Sequence, residues 1–230
     1  MENRQFELCL EVLRRFDKEG LLDKIILIGS WCLFFSRQYF KGKEEFRFSS
    51  IKTRDIDFLV DKPFQIKKHV DVPELLKDLG FVVQFKGSKG YLKLDHPELI
   101  LEFLVPEKGR GSDKPYPLPN LGMNAVPLRF LSFLSQDTIR VNYEGVTITL
   151  PHPANFALHK LIIFQRRIKQ EKAEKDRKAA IDVLRALIEI GEKRSIVNAY
   201  NSIPEKWQNK IMKGLKESEA DEIIVLLKKP

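Results

Sequence analysis

Two aspartates set two residues apart inside an apolar run, Asp55-Ile56-Asp57-Phe58-Leu59-Val60, constrain this chain more than any other feature. In a strand, residues i and i+2 point to the same side. Both carboxylates therefore leave one face, while Ile56 and Phe58 leave the other. Like charges held together repel and lose hydration on a strand otherwise built for burial, so an opposite charge has to compensate them. A hard cation such as Mg²⁺, bound through carboxylate oxygen, meets that need. A third acid, Glu102, lies inside Leu99-Ile100-Leu101-Glu102-Phe103-Leu104-Val105 and closes the site if the two strands are neighbours. An earlier apolar run, Ile25-Ile26-Leu27-Ile28, ends in the turn Gly29-Ser30.

With 230 residues, 43% of them hydrophobic, the chain can bury a core in one or two domains. No apolar stretch reaches the roughly 18–20 residues that span a bilayer, and Met1-Glu2-Asn3-Arg4-Gln5 does not open a signal peptide. Cys9 and Cys32 sit in apolar contexts and are too few for a disulfide framework. Together these features predict a cytoplasmic protein with no membrane segment. The net charge of +8 favours anionic partners. Arg166, Arg167, Lys169, Lys172, Lys175, Arg177 and Lys178 crowd one segment, which reads equally as a solvated helical face and as a phosphate-binding surface.

Periodicity divides the chain into a mixed α/β unit over residues 1–150 and a helical unit over 151–230. Apolar positions from Phe6 to Phe16 predict an amphipathic helix, which Gly20 ends. Ile25–Ile28 reads as a short strand and Trp31–Phe40 as a helix. Pro73–Leu79 reads as a short helix stopped by Gly80. Phe81–Phe85 and Tyr91–Leu94 read as strands, and Ile139–Tyr143 with Val146–Leu150 as a hairpin about Glu144-Gly145. Residues 107–120, with Pro115, Pro117 and Pro119, read as a loop. Its Lys108, Arg110 and Lys114 fit either an ordinary surface or a gate for an acceptor. Ala154–Lys169, Glu174–Ile190 and Pro204–Gly214 read as helices.

An apolar strand, Gly29-Ser30, Asp55-x-Asp57 on a following strand and Glu102 on a third resemble the nucleotidyltransferase superfamily. The interval between Ser30 and Asp55 exceeds the superfamily's usual short spacing, and Gly42–Ser50 reads as the inserted polar excursion that lengthens it. The resemblance implies an α/β (α+β) fold with a mixed sheet, and a helical C-terminal domain completing the cleft. It also implies two Mg²⁺ ions held by Asp55, Asp57 and Glu102, and an NTP whose triphosphate lies at Gly29 and Ser30. A more specific resemblance lies in Arg54-Asp55-Ile56-Asp57-Phe58, Leu128-Arg129-Phe130-Leu131, and Pro153 followed by His159-Lys160-Leu161. These segments look like a bacterial nucleotidyltransferase-like family related to the toxins of AbiE-type toxin–antitoxin systems, over most of residues 20–190.

In that family a helix lysine and a later aspartate serve the nucleotide and the acceptor hydroxyl. Lys160 fits the lysine: helical spacing places it between Phe156 and Phe164, with Arg167 a further turn on. The alternative is a lysine that snorkels to water. Asp176 shares a helical stripe with Ala180, Val183, Leu184 and Leu187 and fits the aspartate. It would serve equally as an acid near a helix start, and Asp182 lies on the polar side. His69, His96, His152 and His159 show no metal-ligand spacing, Ser30 lacks a nucleophile-elbow context, and Cys32 reads as core.

The resulting expectation is Mg²⁺-dependent transfer of a nucleoside monophosphate from NTP to an acceptor, RNA or tRNA first, with a cognate antitoxin as a further partner. A small-molecule or protein acceptor is the alternative, as is a non-catalytic binding module of the same fold.

Overall fold

The computed structural model describes residues 2–40, 53–107, 109, 111 and 114–228. Gly42–Ser50, Lys108 and Arg110 lie outside the described residues. The described chain forms two compact units, Met1–Pro151 and His152–Pro230.

The first unit is built on a seven-stranded mixed sheet. Helix α1 (Glu2–Lys18) turns Cys9, Leu10, Val12, Leu13 and Phe16 inward and ends at Gly20. Strand β1 (Ile26–Ile28) runs into helix α2 (Gly29–Phe35) and a 3-10 turn over Ser36–Gln38. After β2 (Asp55–Leu59) comes helix α3 (Val72–Leu76). The Asp71 carboxylate caps α3 by accepting from the Glu74 amide at 3.0 Å. A further 3-10 turn then stops at Gly80, whose φ of +92° is the left-handed cap expected of it. Strands β3 (Val82–Lys86), β4 (Tyr91–Asp95), β5 (Ile100–Pro106), β6 (Tyr116–Leu118) and β7 (Met123–Leu128) complete the sheet.

The strand order is β1-β2-β5-β4-β3, with β7 also on β5 and β6 on β7. Strands β2 and β7 run parallel to β5, and the other pairs are antiparallel. Strand β5 therefore forks along one edge. Leu101 and Ile100 pair with β4, whereas Phe103 onward pairs with β7. Asn124 bridges the fork, its side chain accepting from Leu92 N at 2.9 Å and donating to Gly90 O at 3.0 Å.

The sheet's two faces differ. Ile56, Phe58, Leu101 and Phe103, all fully buried, leave it toward α1. There Phe16 stacks on Phe103 and tilts against Phe58, with ring centroids 6.5 and 5.3 Å apart. Each such side chain contributes about 1.5–3 kcal/mol by leaving water. The hairpin β8 (Thr138–Tyr143) and β9 (Val146–Pro151) turns on Glu144 and Gly145, with φ of 46° and 83°, as a two-residue hairpin loop requires. Tyr143 joins Phe6, Phe34 and Phe35 in an aromatic cluster that ties the hairpin to α1 and α2.

Two expectations are corrected. The 107–120 segment is not loop throughout: Tyr116–Leu118 forms β6, an edge strand, where a proline such as Pro117 costs no ladder bond needed on its open side. The helix expected over Ala154–Lys169 stops at Ile163; a 3-10 turn over Phe164–Arg166 follows, and Arg167 is extended.

In the second unit, α4 (Pro153–Ile163) is buried over most of its surface. His152 Nδ1 caps it by accepting from the Ala154 amide at 3.1 Å. Helices α5 (Gln170–Glu189), α6 (Lys193–Asn201) and α7 (Glu205–Lys216) pack around it, and α8 (Asp221–Lys228) lies against α6 and α7. No described helix is long and apolar enough to cross a membrane.

The fork predicts a local weakness. Asn124→Ala leaves Leu92 N and Gly90 O without the side chain that pairs them, costing about 1 kcal/mol. Amide hydrogen exchange should accelerate across β3 and β4 while β2 and β5 keep their protection.

Candidate active site

Strand register gathers the three sequence-singled acids. In the parallel β2–β5 pair Asp57 stands opposite Glu102, and Asp55, two residues before Asp57, shares its side. All three carboxylates leave the face turned away from α1. Asp55 is exposed, Asp57 half-buried and Glu102 buried.

That face is divided. Ile26, Ile28, Leu59 and Leu104 lie under Leu131 and Leu134 as a closed apolar cluster. Toward the start of β2 and β5 the same face turns polar, with the acids joined by Tyr91, Lys93 and Asp95 of β4 and Lys86 of β3. The division falls at Ile28–Asp57, where β1 pairs with β2.

The chain leaves β1 there through Gly29, with φ of +75°. A Cβ on Gly29 would stand 2.8 Å from Asp57 Oδ2. Only glycine combines that backbone conformation with that approach, so the turn lies directly on the aspartate. Ser30 follows as the second residue of α2, half-exposed. The first amides of a helix have no intrahelical acceptor and are available to a ligand.

Glu102 is not bare. Lys86 Nζ lies 2.6 Å from its Oε2. Sequence reasoning passed over Lys86. Its one trace is its place two residues after Gln84, just past the end of the strand expected over Phe81–Phe85, and the contact itself depends on register across β4, which the sequence does not encode locally. Upstream, Gln5 Nε2 donates to Thr53 O at 2.8 Å and Glu98 O at 3.0 Å, holding together the starts of β2 and β5.

Lys160 and Asp176 meet in the second unit. Lys160 Nζ lies 2.7 Å from Asp176 Oδ1, and Arg167 Nε lies 2.8 Å from Oδ2. Lys160 also sits over the Phe156 ring, 5.4 Å from its centroid. Burial pushes Asp176 upward, but Lys160 and Arg167 outweigh it and hold the carboxyl below its ordinary value. Asp182, farther along α5, is half-buried. His159, buried next to this trio, has no hydrogen-bond partner for Nε2 among the described residues. Burial, helped by the positive charge of Lys160, pushes its pKa down to about 3.

With this geometry in place, a family model for a nucleotidyltransferase matches residues 7–204. The chain belongs to this nucleotidyltransferase family. Among solved structures it is similar to an antigenic nucleotidyltransferase-like protein from Paracoccidioides brasiliensis. That match has 14% identity and a TM-score of 0.50, covering 96% of this chain and 92% of that one. It is also similar to the antibiotic-resistance factor ANT(2'')-Ia, at 10% identity and a TM-score of 0.44, covering 99% of this chain and 91% of that one. Comparison with curated protein sequences gave no match.

A nucleotidyltransferase implies a divalent metal, and the acid face can be tested for one. The donors are hard carboxylate oxygens on one side of two paired strands, beside a glycine cradle that a side chain would fill. Among the described residues, no three His, Cys, Asp or Glu side chains form a metal cage on their own. Mg²⁺ is ordinarily held by one or two carboxylates with substrate phosphates and water completing its shell. The acid face fits that mode of binding.

His159 makes the second unit pH-sensitive. The unfolded chain takes up a proton below about pH 6.5, whereas the folded chain stays neutral to about 3. Stability is therefore full above 6.5 and falls by about 1.4 kcal/mol per pH unit on acidification toward 3. Below 3.8 the depressed Asp176 carboxyl adds its own loss in the same direction. Urea unfolding at pH 7 and pH 5 should show a loss of about 2 kcal/mol in the wild type, and His159→Gln should remove most of that difference.

Proposed function

We propose that this nucleotidyltransferase moves a nucleoside monophosphate from an NTP to an acceptor hydroxyl in a Mg²⁺-dependent reaction. The observation that carries the reading is the register of Asp57 against Glu102, with Asp55 on the same face and Gly29 against Asp57. Asp55 and Asp57 would hold the metal, with Glu102 as a third ligand. Bound there, Mg²⁺ supplies Lewis-acid polarisation of phosphoryl oxygen.

The chain's own residues account for the remaining work. The amides of Gly29 and Ser30 bind phosphate oxygens of the NTP. The acceptor oxygen attacks the α-phosphorus as the bond to the bridging oxygen breaks, and pyrophosphate leaves with that bond's electron pair. Glu102 receives the hydroxyl proton. Within the second unit Asp176 holds Lys160 and Arg167 in place; the family resemblance assigns Lys160 to the nucleotide and Asp176 to the acceptor hydroxyl.

RNA, tRNA in particular, is the proposed acceptor, supported by the basic balance and by the resemblance to AbiE-type toxins, which also makes a cognate antitoxin a proposed partner. Lys169, Lys172, Lys175 and Lys178 are exposed at three-residue intervals at and along the start of α5, available to phosphates.

Asp57→Asn should lower transfer by roughly 100-fold or more, measured with labelled NTPs and total RNA. Asparagine keeps the shape of aspartate, so the variant should still melt cooperatively. Transfer at the wild-type rate would refute metal catalysis on this face.

For the acceptor, releasing condensed counterions makes phosphate binding fall steeply with salt. RNA labelling should decline accordingly, and Lys169→Glu with Lys172→Glu and Lys175→Glu should weaken it while sparing NTP binding. Labelling indifferent to salt and to these substitutions would favour a small-molecule or protein acceptor.

A further inference from the structure

We propose that Lys86 is the resident counter-cation of the acid face: it holds Glu102 in the metal-free protein and yields that carboxylate when a divalent cation binds, so that pair and metal compete. The inference rests on the metal-dependent reading above.

Glu102 is 8% exposed, and its carboxylate requires a cation. The β4 lysine one step on in the β4–β5 register, Lys93, is already committed to Asp95 at 2.9 Å. The cation comes instead from β3, beyond β4, where Lys86 reaches back to Glu102 at 2.6 Å. The two partners differ sharply in burial: the Lys86 side chain is 54% exposed and that of Glu102 10%. All five residues of β3 are exposed. Releasing the ammonium to water therefore costs little, whereas leaving the carboxylate uncompensated costs much.

A divalent ion and an ammonium on one buried carboxylate repel each other, so the stronger charge displaces the weaker, more solvated one. Lys86 thus stabilises the metal-free face and opposes metal binding to it. Those two effects have opposite signs, which a merely structural lysine would not produce.

The test needs no catalysis. Mn²⁺ serves as probe for a hard divalent cation, and binding to the full chain without nucleotide is read at low ionic strength from loss of the free-ion electron paramagnetic resonance signal. Lys86→Gln should lower the Mn²⁺ dissociation constant at least about 5-fold, the lower range of ordinary coupling between two ligands. It should also lower the metal-free melting temperature and enlarge the rise on adding Mn²⁺. Lys86→Arg, which keeps the charge, should restore wild-type affinity, and Glu102→Gln added to Lys86→Gln should erase the gain. If Lys86→Gln binds Mn²⁺ no more tightly than wild type while Asp57→Asn abolishes binding, the Lys86 proposal falls and the metal site stands. If Mn²⁺ binds to none of these proteins, or binds regardless of Asp57, both fall.

Discussion

The parallel register of β2 against β5 is the constraint on which the rest of the first unit depends. Asp57 stands opposite Glu102, and Phe58 opposite Phe103. A slip of one residue would carry Glu102 into the core beside Phe16 and bring an aromatic ring out among the carboxylates. The core resists that slip because Ile56, Phe58, Leu101 and Phe103 are all fully buried against α1. Gln5 resists it from the end, since one side-chain amide binds carbonyls from both segments leading into the two strands. The acids are thus positioned by apolar packing on the opposite face. A core substitution would reach the site through register before it touched any polar atom.

Each unit contains a buried carboxylate, and each compensates it differently. Glu102 takes one cation from an exposed edge strand, a partner that water can accept. Asp176 takes two, one of them the nearly buried Lys160, and so carries local positive excess. Removing one partner from a buried pair is far more disruptive than never having the pair. The Asp176 trio, which joins α4 to α5 across the extended Arg167, is accordingly built to persist. The Glu102 pair is built to be broken.

Much of the acid face was legible in the sequence because period-two alternation is a local signal. Asp55 and Asp57 had to share a side, and the apolar neighbours of Glu102 marked a buried strand. Gly80 and Glu144-Gly145 announced their turns for equally local reasons. The buried position of Asp176 followed from the helical stripe it shares with Ala180 and Val183. What escaped depended on partners distant in sequence. Strand β6 was hidden by its prolines, which an edge tolerates. The end of α4 at Ile163 lies within an apolar-to-basic run with no glycine or proline to mark it. The role of Lys86 escaped because its partner is fixed by the path of β4 between the two strands.

The divided face explains how a sheet can carry charge at its centre without losing its core. Beyond Ile28 and Asp57 the face packs under Leu131 and Leu134, whereas the acid-bearing half includes the exposed Asp55. Glycine at position 29 stands on that boundary, and its missing side chain leaves room for the Asp57 carboxylate. Any larger residue would have to displace the aspartate or disturb that packing. The same few atoms therefore set the limit of the apolar core and the floor of the candidate site. Stability and chemistry meet at that position, because the glycine that admits the carboxylate also lets β1 turn into α2 without leaving the sheet.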